Sequence, residues 1–158
     1  MSIKGAPVAG GTVDGHGLNI VVVAGTWHEV ITDGLIEGAR RVLDASGASW
    51  RVVRVPGSFE LPVAAKAAFD GGADAVVALG VIIRGGTPHF EYVSSAATDG
   101  LTRVAIDAGR PIGFGVLTLD DEQQGLDRAG LPGSKEDKGA EAADAAVSTA
   151  LVLRDLRG

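Results

Sequence analysis

The chain has 158 residues, 46% hydrophobic and 22% charged, the composition of a soluble globular protein rather than of a disordered tail. Its 14 Lys and Arg against 20 Asp and Glu give a net charge of −6, which argues against nucleic acid and membrane partners, since both need a basic surface. The absence of Cys excludes disulfides, thiol catalysis and thiolate metal sites, and three widely separated His residues predict no metal site.

The first 17 residues are rich in glycine and are predicted to form a flexible arm. Residues 7–13 within it could add a strand to a sheet edge, on this chain or on a neighbour. No continuous apolar segment of signal-peptide length is present there, and no later apolar stretch is long enough for a bilayer. We therefore expect a cytoplasmic protein with a single domain at 18–158.

Apolar strand-like segments alternate with segments of helical periodicity along the rest of the chain. Residues 18–24 are β-branched and apolar on both faces, as a buried parallel strand requires. The predicted strands are 18–24, 50–55, 75–83 and 111–117, and the predicted helices are 29–45, 60–69, 89–108, 120–130 and about 136–156. Alternation of this kind predicts a four-stranded parallel sheet covered by helices on both faces.

Individual residues indicate where the predicted helices begin and end and how they pack. Asp120 can cap the short fourth helix and Gly130 can end it. The charged run at 135–138 (KEDK) is typical of a solvated helix start. Small residues, among them Gly34, Gly38 and Gly139, suit close helix packing either within one subunit or between subunits.

Ligands of open α/β sheets bind beyond the carboxyl ends of the strands. The segments at these ends are GTWH (25–28), PGSFE (56–60) and RGGTPHF (84–90). Five of the seven aromatic residues, Trp27, Phe59, Phe90, Tyr92 and Phe114, lie in or next to these segments or on the fourth strand. Their rings could stack on a flat heterocycle, or they could cap the core at the strand ends.

The loop after the third strand is the most distinctive feature. Gly85 and Gly86 would let backbone N–H groups approach an anion, and Thr87 adds a hydroxyl donor. His89, beside the start of the next helix, could transfer protons near neutral pH. Each of these residues also has an ordinary explanation, as part of a turn or as a structural histidine.

Three charged residues are further candidates for ligand contacts. Glu60 could accept hydrogen bonds from substrate hydroxyls, or could stabilise a helix amino end through the helix dipole. Arg128 and Lys138 are candidates for a phosphate, although isolated charges of this kind are often solvated surface groups.

Several nucleotide-binding and hydrolase families are excluded by missing motifs. The chain lacks GxxxxGK[ST], GxGxxG and GxSxG. The first strand is not followed by the acidic residues of a phospho-receiver domain or by the Ser/Thr-rich phosphate loop of a flavodoxin.

Taken together, these segments resemble the 6,7-dimethyl-8-ribityllumazine synthase family, from about residue 18 to residue 156. The matching segments are GTWH (25–28), PGSFELP (56–62), ALGVIIRGGTPHFEYV (78–93), GFGVLT (113–118), EQQ (122–124), RAG (128–130) and KG (138–139). The resemblance implies a flavodoxin-like three-layer α/β/α subunit in a homopentamer or in a shell of twelve pentamers, with active sites between neighbouring subunits.

The resemblance also implies an enzyme of riboflavin biosynthesis that uses no metal and no organic cofactor. It would condense 5-amino-6-(D-ribitylamino)uracil with 3,4-dihydroxy-2-butanone 4-phosphate, releasing phosphate and water. Trp27 would stack on the pyrimidine, and the backbone at the end of the third strand would bind the uracil edge. The positions that match ring- and ribityl-binding residues of the family are Trp27, Ser58, Phe59, Glu60, Val81, Ile82, Ile83 and Phe114.

Phosphate binding and proton transfer are implied for a second set of positions. Gly86 and Thr87 match the phosphate-binding pair, and Arg128 matches an arginine that reaches the same phosphate from the adjacent subunit. His89 matches the proton-transfer residue, and Lys138 matches a lysine near the site. Gly86 departs from relatives, which often carry a larger residue there.

The segment 131–137 is longer than in shell-forming relatives, which favours a free pentamer. Two other classes remain open on sequence alone. A non-catalytic flavin- or lumazine-binding module would keep Trp27 and Phe114 but would not need His89, Thr87 and Arg128 together. In a purely structural shell protein all these residues would be incidental.

Overall fold

A computed structural model describes residues 13–158. Residues 1–12 lie outside the described residues; they hold most of the predicted arm and all but Val13 of the predicted strand-forming stretch. At 13–17 the chain turns, and the Gly15 amide donates a hydrogen bond to the Ser46 carbonyl over 2.8 Å. None of the helices in the described chain is long and apolar enough to cross a bilayer.

The elements alternate as the sequence predicts. In chain order they are β1 (Asn19–Ala24), α1 (Glu29–Ser46), β2 (Ser49–Arg54), a 3₁₀ turn (Ser58–Glu60), α2 (Leu61–Asp70), β3 (Ala75–Ile83), α3 (His89–Ala108), β4 (Ile112–Leu119), α4 (Glu122–Leu126) and α5 (Lys138–Leu156). The four strands form one parallel sheet in the order β2-β1-β3-β4, which confirms the predicted fold class.

Two apolar layers cover the sheet, because alternate residues of the buried strands point to opposite faces. On one face Ile20, Val22 and Leu79 pack against Leu35 of α1 and Val147 of α5. On the other face a second cluster joins the sheet to α2 and α3; it includes Val21, Val23, Leu61, Phe69, Val76 and Leu101. This is the predicted three-layer α/β/α arrangement.

The fourth helix is shorter than predicted, and its predicted cap is wrong. Asp121, not Asp120, accepts the hydrogen bond from the Gln124 amide, at 2.9 Å. The Asp120 carboxylate is instead engaged by Arg84 at 3.1 Å. The helix ends at Leu126 rather than at Gly130, because the chain then turns to pair with residues 135–138.

Three glycines of the helices serve packing within the subunit. A methyl group at Gly34 would lie 2.6 Å from the carbonyl oxygen of Ala129, and one at Gly38 would lie 2.2 Å from the Asp137 carboxylate. At Gly139 a methyl group would lie 1.9 Å from the Leu35 carbonyl oxygen. Of the two readings left open by the sequence, these contacts support packing inside one subunit.

Candidate functional site

The carboxyl ends of β1 and β2 are joined into one surface. Thr26 Oγ1 donates to the Pro56 carbonyl at 2.7 Å, and the Arg54 guanidinium donates to the Gly25 carbonyl at 3.0 Å. The Trp27 ring lies over Gly57, where a methyl group would come within 3.3 Å of Cδ1. Trp27 therefore lies next to the predicted ligand segment at 58–60.

The backbone that carries Trp27 is held in an unusual conformation. His28 has φ of 56°, the left-handed region that a residue with a side chain rarely adopts. The buried Thr32 hydroxyl donates to the Trp27 carbonyl at 2.7 Å and fixes this turn at the start of α1. Sequence reasoning missed both Thr32 and the His28 conformation. The sequence feature that could have predicted this contact is a threonine five residues after a tryptophan that follows a strand.

The segment at 58–60 divides between the sheet and the open surface. Ser58 is buried against β3, and a methyl group at Gly80 would come within 2.4 Å of the Ser58 hydroxyl oxygen. The Phe59 ring is 65% exposed, and Glu60 is half-buried. Because residue 80 is glycine, the Ser58 hydroxyl can lie directly against the backbone of β3.

β3 extends beyond β1 and leaves one backbone edge without a strand partner. Its last pair with β1 is Leu79 with Ala24, whereas its pairing with β4 continues to Ile83. The backbone groups of residues 81–83 that face the β1 side therefore have no partner on β1, and they continue from Gly80, which lies against Ser58. Such an edge offers N–H and C=O groups to a planar ligand with its own donors and acceptors.

The loop after β3 lies open at the amino end of α3. A methyl group at Gly85 or at Gly86 would meet no atom within 4 Å, so the structure has room for a larger residue at either position. Thr87 and His89 are both exposed, and the His89 amide at the start of α3 donates to the Thr87 hydroxyl at 3.4 Å. Free N–H groups at a helix amino end attract anions.

Arg84 holds the loop after β3 against the start of α3 and the end of β4. Its guanidinium lies 4.4 Å from the centre of the Phe90 ring and pairs with Asp120 at 3.1 Å and with Glu91 at 3.7 Å. Its amide also donates to the Leu119 carbonyl. Sequence reasoning did not single out Arg84. An arginine directly before a Gly-Gly pair was the signal.

Three predicted site residues lie elsewhere on the chain. Phe114 is in the first half of β4, opposite Ala78, and its ring is 49% exposed. Arg128 and Lys138 follow α4 on the side of α1 and α5, and both pair with Glu136. The structure thus places Trp27 beside Gly57 and Ser58 beside Gly80, at the edge of the sheet where residues 81–83 end β3 and residues 86–89 follow it, whereas these three residues have polar or strand partners elsewhere.

The exposed aromatic rings decide one question that the sequence left open. Trp27 is 68% exposed and Tyr92 75% exposed, so with Phe59 and Phe114 they do not cap the core, whereas Phe90 packs against it. A cavity of about 300 Å³ does exist at the opposite, amino edge of the sheet, beside Arg110 and Arg157, but it is remote from these residues.

Comparison with known proteins identifies the family. Residues 17–154 match the family model of 6,7-dimethyl-8-ribityllumazine synthase. The 6,7-dimethyl-8-ribityllumazine synthase of Leifsonia xyli subsp. xyli is 74% identical over 158 residues, covering all of both chains. That of Clavibacter michiganensis subsp. michiganensis is 72% identical over all of this chain and 99% of its own. The family resemblance predicted from the sequence is therefore confirmed, and the chain belongs to the 6,7-dimethyl-8-ribityllumazine synthase family.

Proposed function

We propose that the chain condenses 5-amino-6-(D-ribitylamino)uracil with 3,4-dihydroxy-2-butanone 4-phosphate to 6,7-dimethyl-8-ribityllumazine, with release of phosphate and water, as the penultimate step of riboflavin biosynthesis. The observation that carries this proposal is identity of 74% to a lumazine synthase over both full lengths. The reaction site is the carboxyl edge of the sheet around β3.

The uracil substrate binds where the exposed Trp27 ring meets the open backbone edge of residues 81–83. Stacking on the indole holds the flat ring, and the edge supplies N–H and C=O groups for its polar rim. The ribityl chain extends over Ser58, Phe59 and Glu60, where a hydroxyl and a carboxylate can bind its hydroxyl groups.

The phosphate of the second substrate binds in the loop at Gly86 and Thr87, at the positive amino end of the α3 dipole. The amine of the uracil attacks the ketone and a water leaves to give an imine, phosphate is eliminated, the product tautomerises, and ring closure releases a second water. His89 moves protons in these steps. Holding the two substrates side by side accounts for much of the rate, because a bimolecular step then becomes intramolecular.

A neighbouring subunit completes the site with Phe114, Arg128 and Lys138, in a homopentamer rather than a 60-subunit shell. The surface of α3 supports a subunit contact, because only Ala97 and Leu101 of its 20 residues are buried. Large apolar side chains are also exposed on the same side of the sheet, at Val63 of α2, Tyr92 and Ile106 of α3 and Phe114 of β4. Apolar surface of this extent is typical of an interface.

The direct test mixes the purified protein with both substrates and follows the fluorescence of the lumazine product. We expect product at a rate above the uncatalysed mixture. Binding of lumazine without turnover would instead support a non-catalytic binding module. Sedimentation of the same sample distinguishes a pentamer from a monomer and from a 60-subunit shell.

Arg128→Ala is expected to raise the KM for the ketose phosphate by about tenfold or more, since a charge-assisted contact to phosphate is lost. The KM for the uracil should stay near the wild-type value. Steady-state kinetics with each substrate varied in turn checks this. Trp27→Ala is the matched control, because it should raise the KM for the uracil instead. An Arg128→Ala variant that affects only the uracil would remove Arg128 from the phosphate site.

A further inference from the structure

Arg128 and Lys138 belong to a short antiparallel pairing of residues 127–130 with residues 135–138. The Lys138 amide donates to the Arg128 carbonyl at 2.9 Å, and the Gly130 amide donates to the Glu136 carbonyl at 3.0 Å. Ala129 lies opposite Asp137. Because side chains alternate along paired strands, Arg128, Glu136 and Lys138 share one face of the pairing.

The other face is fixed to α1. Ala129 is fully buried against Gly34, and Asp137 lies against Gly38. The Asp137 carboxylate also pairs with Arg41 at 2.5 Å and accepts from the Ala140 amide at 3.2 Å. The positions of Arg128, Glu136 and Lys138 are therefore set by the packing of this face on α1.

Glu136 is a buried carboxylate between the two cations. Its side chain is only 8% exposed, and that of Lys138 is 11% exposed. Oε2 lies 3.5 Å from Arg128 Nε, and Oε1 lies 3.7 Å from Lys138 Nζ. Oε2 accepts no hydrogen bond within the described chain. The carboxylate thus acts on both cations through its charge rather than through a hydrogen bond.

Burial of the Glu136 carboxylate lowers the stability of the fold, because a buried charge without full hydrogen bonding costs free energy. Arg128 and Lys138 already have other partners. Arg128 donates to the Gln124 carbonyl at 2.9 Å, and Lys138 pairs with Glu141 at 3.3 Å. Structural anchoring of the two side chains therefore does not require Glu136.

We propose that Glu136 sets the strength with which Arg128 and Lys138 hold phosphate. This inference rests on the proposed function, in which Arg128 and Lys138 complete the site of a neighbouring subunit and Arg128 contacts the phosphate bound there. The negative charge of Glu136 offsets part of their attraction for that phosphate. The phosphate group is then held firmly enough to orient the substrate, and inorganic phosphate is released after elimination. Glu136 is a positioning residue that acts through its charge on the two cations.

Glu136→Gln tests this proposal, because it removes the charge and nearly preserves the shape. We expect about fivefold tighter binding of inorganic phosphate, measured as competitive inhibition against the ketose phosphate. The KM for the ketose phosphate should fall to a similar extent, while the KM for the uracil stays unchanged. Added salt should weaken phosphate binding more steeply in the variant than in the wild type.

Asp70→Asn is the matched control. It makes the same change in net charge on an exposed pair with Lys66 of α2, and should leave phosphate binding at the wild-type value. Glu136→Asp, which keeps the charge, should stay close to the wild type. If Glu136→Gln does not fold, Glu136→Met, an apolar residue of similar size, replaces it with the same expected result.

Unchanged or weaker phosphate binding in a folded, uncharged Glu136 variant would overturn the proposal. Arg128→Ala separates this failure from a failure of the proposed function. If Arg128→Ala raises the KM for the ketose phosphate while Glu136→Gln changes nothing, only the role of Glu136 is wrong. If Arg128→Ala also changes nothing, the phosphate site itself is wrongly assigned.

Discussion

Gly139→Ala is expected to lower the free energy of unfolding by about 2 to 4 kcal/mol. The added methyl group would lie 1.9 Å from the Leu35 carbonyl oxygen, so that backbone of α1 meets backbone of α5 at this point. No flexible side chain can move aside, and relief requires a shift of a whole helix. Alanine is intrinsically better than glycine in a helix interior by about 1 kcal/mol, so a measured loss is a lower limit on the cost of the clash.

Urea unfolding at one fixed protein concentration measures this loss, because association with other subunits also stabilises the folded state. Gly71→Ala is the control. Gly71 has φ of −81°, and the nearest atoms to an added methyl group are 3.5 Å away, so stability should change by less than about 0.5 kcal/mol. Equal unfolding midpoints for Gly139→Ala and the wild type would contradict the close approach of α1 and α5.

The contact between Gly139 and Leu35 also affects the position of the predicted site residues Arg128 and Lys138. Gly139 directly follows Lys138, and the pairing of residues 127–130 with 135–138 lies on α1 at Gly34 and Gly38. A shift of α5 away from α1 would therefore displace Arg128 and Lys138 together. Activity of Gly139→Ala at low temperature should show this displacement as a raised KM for the ketose phosphate.

The sheet could be predicted from the sequence because its strands are buried on both faces. Residues 75–83 are continuously apolar, and the predicted and observed bounds of β3 coincide. The fourth helix was mispredicted for a non-local reason. Asp120 is drawn to Arg84, 36 residues earlier, and Asp121 becomes the cap. Local capping rules contain no information about such a partner.

Glu136 illustrates the same limit at the site. The run at 135–138 is typical of a solvated helix start, yet Glu136 and Lys138 are almost completely buried. Their burial follows from pairing with residues 127–130, which depends on the turn at 131–134 and on the packing of Ala129 on α1. The unpaired edge of β3 likewise follows from a difference in strand length. The last residue of β1 lies opposite Leu79, and β3 continues for four more residues to Ile83. Neither feature is encoded in a local pattern.

His89→Ala is expected to slow turnover by roughly tenfold or more, because each step after imine formation moves a proton and His89 is the proposed carrier. Some activity should remain, since the two substrates are still held together. Single-turnover formation of the fluorescent product at saturating substrates measures the chemical step. A wild-type rate in this variant would remove His89 from the mechanism.

Mixed assemblies of His89→Ala and Arg128→Ala subunits extend this test to the proposed interface. His89 starts α3 beside its own loop, whereas the polar partners of Arg128 are Gln124 and Glu136 of the other layer. Suppose that a site takes His89 from one subunit and Arg128 from the next. In an equal random mixture, each of these two residues is then wild type at about half of the sites, so about a quarter of the sites carry both. Co-expressed subunits should then exceed the mean activity of the two parent variants. If instead each site were contained in one chain, every site would lack one residue, and co-expression would give only that mean.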